Sequence, residues 1–150
     1  YLGDREKQCI CSEYQLQRYR SKLSGPLLDR IDLIINVPRL TTDELINTSS
    51  EAEPSAKIRE RVIRARKLQA ERYRNDGILT NSELNARLIK KYCILDGKTA
   101  NFLKTASQKF HLSGRRYSRI LKLSRTIADL GGKENITLED VTQALQYREG

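Results

Sequence analysis

Three groupings in this 150-residue sequence have the residue types and spacing to do chemistry. The first is Ser24-Gly25-Pro26-Leu27-Leu28-Asp29-Arg30-Ile31-Asp32, where Arg30 stands at a turn that feeds an apolar run. A guanidinium at the mouth of a sheet can reach across to a partner's anion. Equally, Asp29 or Asp32 could hold it in a local ion pair that only ties the turn. The second is Leu112-Ser113-Gly114-Arg115-Arg116-Tyr117-Ser118-Arg119-Ile120-Leu121. Arg115 and Arg116 fall in the first turn of a helix, where a cation opposes the macrodipole by about 0.3–1 kcal/mol. A bound phosphate would reverse that sign, because helix N–H groups and a guanidinium can both hold it. Arg115, Arg119 and Lys122 also recur at i, i+4 and i+7, and with Arg116 they offer contacts for a nucleic-acid backbone. The competing reading is a solvated basic face opposite a Tyr117/Ile120/Leu121 stripe. The third grouping is Cys9-Ile10-Cys11, which could supply half of a tetrahedral zinc site. Cys93 falls within a helical pattern and reads as core.

Other chemistries are absent from the sequence. There is no Walker A loop, no Gly-rich dinucleotide turn, no Gly-x-Ser-x-Gly elbow and no zincin motif. His111 is the single histidine, so no Ser/His/Asp set can be assembled. Alone, the chain is expected to catalyse nothing.

Composition narrows the class. Hydrophobic residues make up 38% of the chain, enough for a compact helical unit and thin for a fully buried parallel sheet. No apolar run reaches the roughly 18 residues of a membrane helix, and no secretory pattern opens the chain. Three cysteines in a basic chain fit a reducing cytoplasm better than a disulfide framework. The net charge is +9, and it is concentrated: residues 57–74 and 109–125 each carry +6, while 1–56 and 126–150 are net acidic. Concentrated positive potential favours polyanions such as nucleotide phosphates or DNA.

The elements that must position these groups can be read from caps and periodicity. Ser12-Glu13-Tyr14-Gln15 is a capping box opening a short helix to about Lys22, stopped by Ser24-Gly25-Pro26. Residues 31–37 are rich in β-branched side chains, end at Pro38, and predict one largely buried strand. Residues 38–54 are polar and acidic and read as a connector, with a helical turn near 43–46. Ser55 is expected to cap a helix over 56–74, with Ile58, Val62, Ala65, Gln69 and Tyr73 inward. A second helix is expected from Asn81 or Ser82 to Tyr92. Asp96 caps a third over 97–110, with Ala100, Leu103, Ala106 and Phe110 inward. Ser113 caps a fourth over 114–130, closed by Gly131-Gly132. Thr137-Leu138-Glu139-Asp140 opens a fifth. A lone strand leaves its backbone groups without partners, so its sheet is expected to lie in sequence outside this chain, which opens on Tyr1 rather than Met and reads as a fragment.

Two long runs, Tyr14 to Val37 and Leu112 to Tyr147, together resemble the magnesium-chelatase-related, ComM-like (YifB-like) branch of the AAA+ ATPases. The resemblance rests on Cys9-Ile10-Cys11-Ser12, Gln17-Arg18-Tyr19, the Ser24 to Asp32 segment, Tyr117 to Leu130, and Ala144-Leu145-Gln146-Tyr147-Arg148. It implies a mainly α chain: the helical-bundle lid of an AAA+ module over 56–150, preceded over 1–38 by a remnant of the α/β core (one helix and one strand), with a connector over 39–55. Arg30 looks like the arginine finger that enters a neighbouring subunit's nucleotide site. Arg115 looks like the sensor-2 arginine on the γ-phosphate. In the family a second Cys-x-Cys stands ahead of the matched stretch and would complete a Cys₄ zinc cluster with Cys9 and Cys11.

The resemblance further implies a full-length, cytoplasmic hexamer that hydrolyses ATP with Mg²⁺ and remodels DNA by branch migration during natural transformation. No membrane partner is expected. The family's Walker A and Walker B segments are not in this sequence, so no cofactor should bind the fragment tightly. A rival expectation is a free-standing helix-turn-helix DNA-binding module built from residues 97–110, the turn at 111–113, and the helix from 114.

Overall fold

The structure is a computed structural model, and it describes residues 8–23, 25–28, 30–46 and 53–147. The chain divides into two compact units, one up to Ala52 and one from Glu53. The fold is mainly helical, as expected for the lid of an AAA+ module, and no strand occurs among the described residues.

In the first unit, α1 (Glu13–Arg20) opens on the expected capping box. Ser12 Oγ accepts the Gln15 N–H at 3.3 Å, and Gln15 Oε1 accepts the Ser12 N–H at 2.9 Å. A further helical turn, α2 (Gly25–Leu28), follows directly. Pro26 is tolerated there because the first turn of a helix has no carbonyl partner for its missing N–H. A last turn, α3 (Thr42–Ile46), occupies the acidic stretch. The buried strand expected over 31–37 is not formed. These residues form no ladder among the described residues, and Ile31, Leu33, Ile35 and Val37 are exposed, Val37 by 82%. β-branched composition favours a pleated surface, but a strand also needs a neighbour to take its N–H and C=O groups. None of the described side chains up to Ile46 is fully buried.

The second unit holds the core. Its long first helix, α4 (Ser55–Arg72), begins one residue earlier than Ser55-capping requires. Pro54 takes the cap position, and Ser55 lies inside the helix with no capping bond. Ala65, Gln69 and Tyr73 are buried as expected, whereas Ile58 and Val62 remain 43% exposed. The single helix expected over 81–92 is broken in two. A 3₁₀ turn (Asn81–Glu83) is followed by α5 (Ala86–Tyr92), because Asn85 starts afresh and accepts the Leu88 N–H at 3.0 Å. Leu84, at the break, is buried.

Asp96 caps α6 (Gly97–Lys109), accepting the Thr99 N–H at 2.7 Å. Its inward face is Thr99, Leu103 and Ala106, and the expected Ala100 and Phe110 are exposed. His111 closes this helix in the left-handed region (φ 48°), where its N–H donates to Gln108 O and the Leu112 N–H to Ser107 O. That is the Schellman arrangement, with histidine where glycine is usual. Ser113 caps α7 (Gly114–Leu130), accepting the Arg116 N–H at 3.2 Å. α7 ends in a second Schellman arrangement, with Gly132 at φ 66° and the Lys133 N–H on Ala128 O at 2.8 Å. The capping box at Thr137 and Asp140 opens α8 (Leu138–Gln146) as expected.

α7 is the central element. It packs against α8, α4, α5 and the 3₁₀ turn, while α6 packs against α8. Ile120, Leu121 and Ala128 of α7 join Leu88, Leu103 and Val141 in the core, and Tyr117, expected in the same stripe, stays 37% exposed. Among the described residues no helix is long and apolar enough to cross a membrane.

Candidate functional site

The Ser113 cap fixes where α7 starts, and so fixes where its arginines stand. Arg115 is exposed in the first turn, while Arg116 and Arg119 are partly buried. Lys122, one turn beyond Arg119, donates from Nζ to the Ser82 carbonyl at 2.8 Å. Its ammonium therefore ties α7 to the 3₁₀ turn. The first turn of α7 has no acidic side chain. An exposed guanidinium there, beside N–H groups that lack intrahelical partners, can hold an oxyanion.

Arg30 lies in the first unit, at the end of α2. Its N–H donates to Leu27 O at 2.9 Å, and its side chain is exposed. It extends a turn, as the sequence predicts, and leads into residues that form no strand. Of the two acidic neighbours that could tie it locally, Asp29 lies outside the described residues.

Cys9 and Cys11 stand just ahead of the α1 cap, Cys9 half-buried and Cys11 exposed. The Cys11 backbone N–H hydrogen-bonds to the Cys9 sulfur and holds its thiol below the ordinary value. Cys93 is the opposite case, since burial pushes its thiol up to about 11. Two thiols meet only half of what tetrahedral zinc requires, and no group of three or more metal-ligating side chains occurs among the described residues. His111 sits in the turn before α7 and is exposed.

The most connected polar group is one that sequence reasoning missed. Asp129, its side chain fully buried, receives four residues at once. Arg72 donates in two prongs, Nη1 to Oδ2 at 2.9 Å and Nη2 to Oδ1 at 2.5 Å. Arg125 Nε reaches Oδ1 at 3.1 Å, and Asn81 Nδ2 and Gln69 Nε2 reach Oδ2 at 2.9 and 3.3 Å. Arg125 then donates its remaining nitrogens to the Lys133 and Glu134 carbonyls, both at 2.8 Å. Tyr73 donates its hydroxyl to Asn81 Oδ1 at 2.5 Å. Burial alone would lower the Arg72 pKa, but the hydrogen bonds and charge of Asp129 raise it. The network fastens α4, the 3₁₀ turn and, through Arg125, the α7–α8 loop at Lys133 and Glu134 to one carboxylate. A signal for it exists in the sequence: Gln69 sits on an inward face, and Arg125 and Asp129 are an i, i+4 pair. Polar residues in inward register must find each other.

Comparison with known proteins agrees with this architecture. Residues 1–45 match the family described as "Magnesium chelatase, subunit ChlI", and residues 52–148 match "Magnesium chelatase, subunit ChlI C-terminal". The competence protein ComM of Haemophilus influenzae is 46% identical over 137 residues, which covers 91% of this chain and 26% of that protein. The uncharacterized protein YifB of Salmonella typhimurium is 36% identical over 148 residues, covering 99% of this chain and 28% of that protein. An uncharacterized protein of Mycobacterium tuberculosis is 34% identical over 143 residues, with 95% and 28% covered. The chain thus spans about a quarter of the length of the curated relatives it matches. A family match over both units, carried by a helical C-terminal domain with a capped, arginine-bearing α7, places this chain in the magnesium-chelatase-related, ComM/YifB-like family.

Proposed function

We propose that this chain is the C-terminal part of a ComM-like ATP-driven motor. In this reading residues 1–38 end its α/β core, 39–55 connect, and 56–150 are the lid. Arg115 is the sensor-2 arginine that neutralises the terminal phosphate of ATP–Mg²⁺ bound elsewhere in the full-length protein. Arg30 is the arginine finger, presented to the nucleotide of a neighbouring subunit in a hexamer. The motor works on DNA by branch migration during natural transformation in the cytoplasm, with Arg116, Arg119 and Lys122 contacting the DNA backbone. Zinc would bind only where two further thiolates join Cys9 and Cys11.

The observation that carries this reading is the exposed Arg115 in the capped first turn of α7. A cation is electrostatically misplaced there unless an anion joins it. Phosphoryl transfer is mostly positioning and charge stabilisation, so arginines of this kind matter by about 10³–10⁵ in rate. The central packing of α7 supports a lid over a helix-turn-helix reader, whose second helix would have to leave a long face free for a major groove.

The test is made in the full-length protein. Arg115→Ala and Arg30→Ala should each lower ATP turnover by about 10³-fold while the helical signal and assembly are kept. Mixing the Arg30→Ala protein with a variant unable to bind its own nucleotide should restore turnover, since each subunit then supplies what the other lacks. Normal turnover in both arginine variants rejects the proposal.

A further inference from the structure

Helix α6 carries a surface that the motor reading does not use. Lys98, Phe102, Thr105 and Lys109 recur at i, i+4, i+7 and i+11, and so share one face. All four are exposed, and the row flanks the core-facing side formed by Thr99, Leu103 and Ala106, about 100° round the helix. Phe102 is 37% exposed on this outer face. Phe110, directly after the row, is 36% exposed, with the Lys109 ammonium 5.7 Å from the centre of its ring.

Along the chain, the stretch that holds the row is one-signed, while α8, which packs on α6, opens with Glu139 and Asp140. No Asp or Glu occurs between Asp96 and Asp129, and that span holds eight lysines and arginines. At its two ends, the Asp96 carboxylate is engaged by the Thr99 N–H, and Asp129 by the buried network.

Ammonium groups alone would accept any polyanion. Ring faces interleaved with them select a partner that carries regular phosphates and flat, unpaired bases. A duplex keeps its base faces stacked inside, and an acidic peptide has no such faces. Phenylalanine has no hydrogen-bonding handle, so contact through it is indifferent to base identity. We propose that the outer face of α6 binds single-stranded nucleic acid, with Phe102 and Phe110 as stacking platforms and Lys98 and Lys109 on the phosphates. This surface stands on different residues from those proposed to act on ATP, and it holds or fails independently of them.

The sequence contains no tryptophan, so Phe102→Trp introduces a single indole reporter into the 150-residue chain. Titration with an oligothymidine single strand should quench its fluorescence. By anisotropy of a labelled oligothymidine, Phe102→Ala should weaken binding about tenfold, while Phe102→Tyr, which keeps a ring, should preserve it. The Lys98→Ala/Lys109→Ala double variant should flatten the slope of log affinity against log salt by about 0.7 per lysine removed. Circular dichroism of each variant should match the parent, because the replaced side chains are exposed. Unchanged oligothymidine affinity in Phe102→Ala overturns the proposal. So does equal loss in Phe102→Ala and Phe102→Tyr, tighter binding of duplex than of single strand, or binding of an acidic peptide in preference to oligothymidine.

Discussion

Arg72 of α4 and Asp129 of α7 meet in a two-pronged ion pair, with N–O distances of 2.9 and 2.5 Å, around a carboxylate that has no exposed side-chain surface. The two residues are 57 positions apart in the chain, so this contact exists only when the bundle is closed.

Removing one side of that pair should be severe. Asp129→Ala leaves the buried Arg125 and the partly buried Arg72 facing a void without their anion, and breaking a buried pair costs about 3–5 kcal/mol. Urea unfolding of the chain should show a loss of that order. A loss below about 1 kcal/mol would mean that the network is ornamental.

Acid should unfold the bundle through its capping carboxylates. Burial acts to raise the Asp140 pKa, but the Lys133 ammonium at 2.8 Å and the Thr137 N–H outweigh it and hold the pKa below the ordinary value. A depressed folded-state pKa means the stabilisation is fully present above the unfolded value, near 3.9. It is lost as pH falls through the folded one. Melting temperature should therefore drop below about pH 4, and Asp140→Asn should be less stable at neutral pH with a shallower acid slope. Parallel pH curves for the two proteins would contradict the assignment.

Thiol chemistry should separate the three cysteines. The Cys9 thiol is held below its ordinary value and stands half-buried just ahead of α1, whereas the Cys93 thiol is buried and pushed up to about 11. Iodoacetamide at neutral pH should modify Cys9 first and leave Cys93 intact until the chain is unfolded, because the thiolate is the reactive form. Peptide mass mapping over time reads the order, and early labelling of Cys93 would show that the bundle is open.

What the sequence revealed depended on how far each interaction reaches. The caps at Ser12, Asp96, Ser113 and Thr137 were legible because a cap is settled by residues three positions apart. The start of α7, and with it the placement of Arg115, followed from Ser113 alone. Residues 31–37 form no ladder among the described residues and are exposed rather than buried, because side-chain composition reports a preference whereas pairing requires a second strand. Ile58 and Val62 were expected inside because periodicity shows that a face is apolar and leaves open what lies opposite it. The Asp129 network escaped for the same reason. Its members come from α4, the 3₁₀ turn and α7, and no local pattern brings Arg72 and Asn81 to one carboxylate.

Arg115 and Asp129 sit at opposite ends of one uninterrupted shaft. At 1.5 Å per residue they are separated by about 21 Å. Between those ends Ile120, Leu121 and Ala128 lie in the core, so any load placed on Arg115 would pass along the helix into the same packing that the Asp129 carboxylate closes.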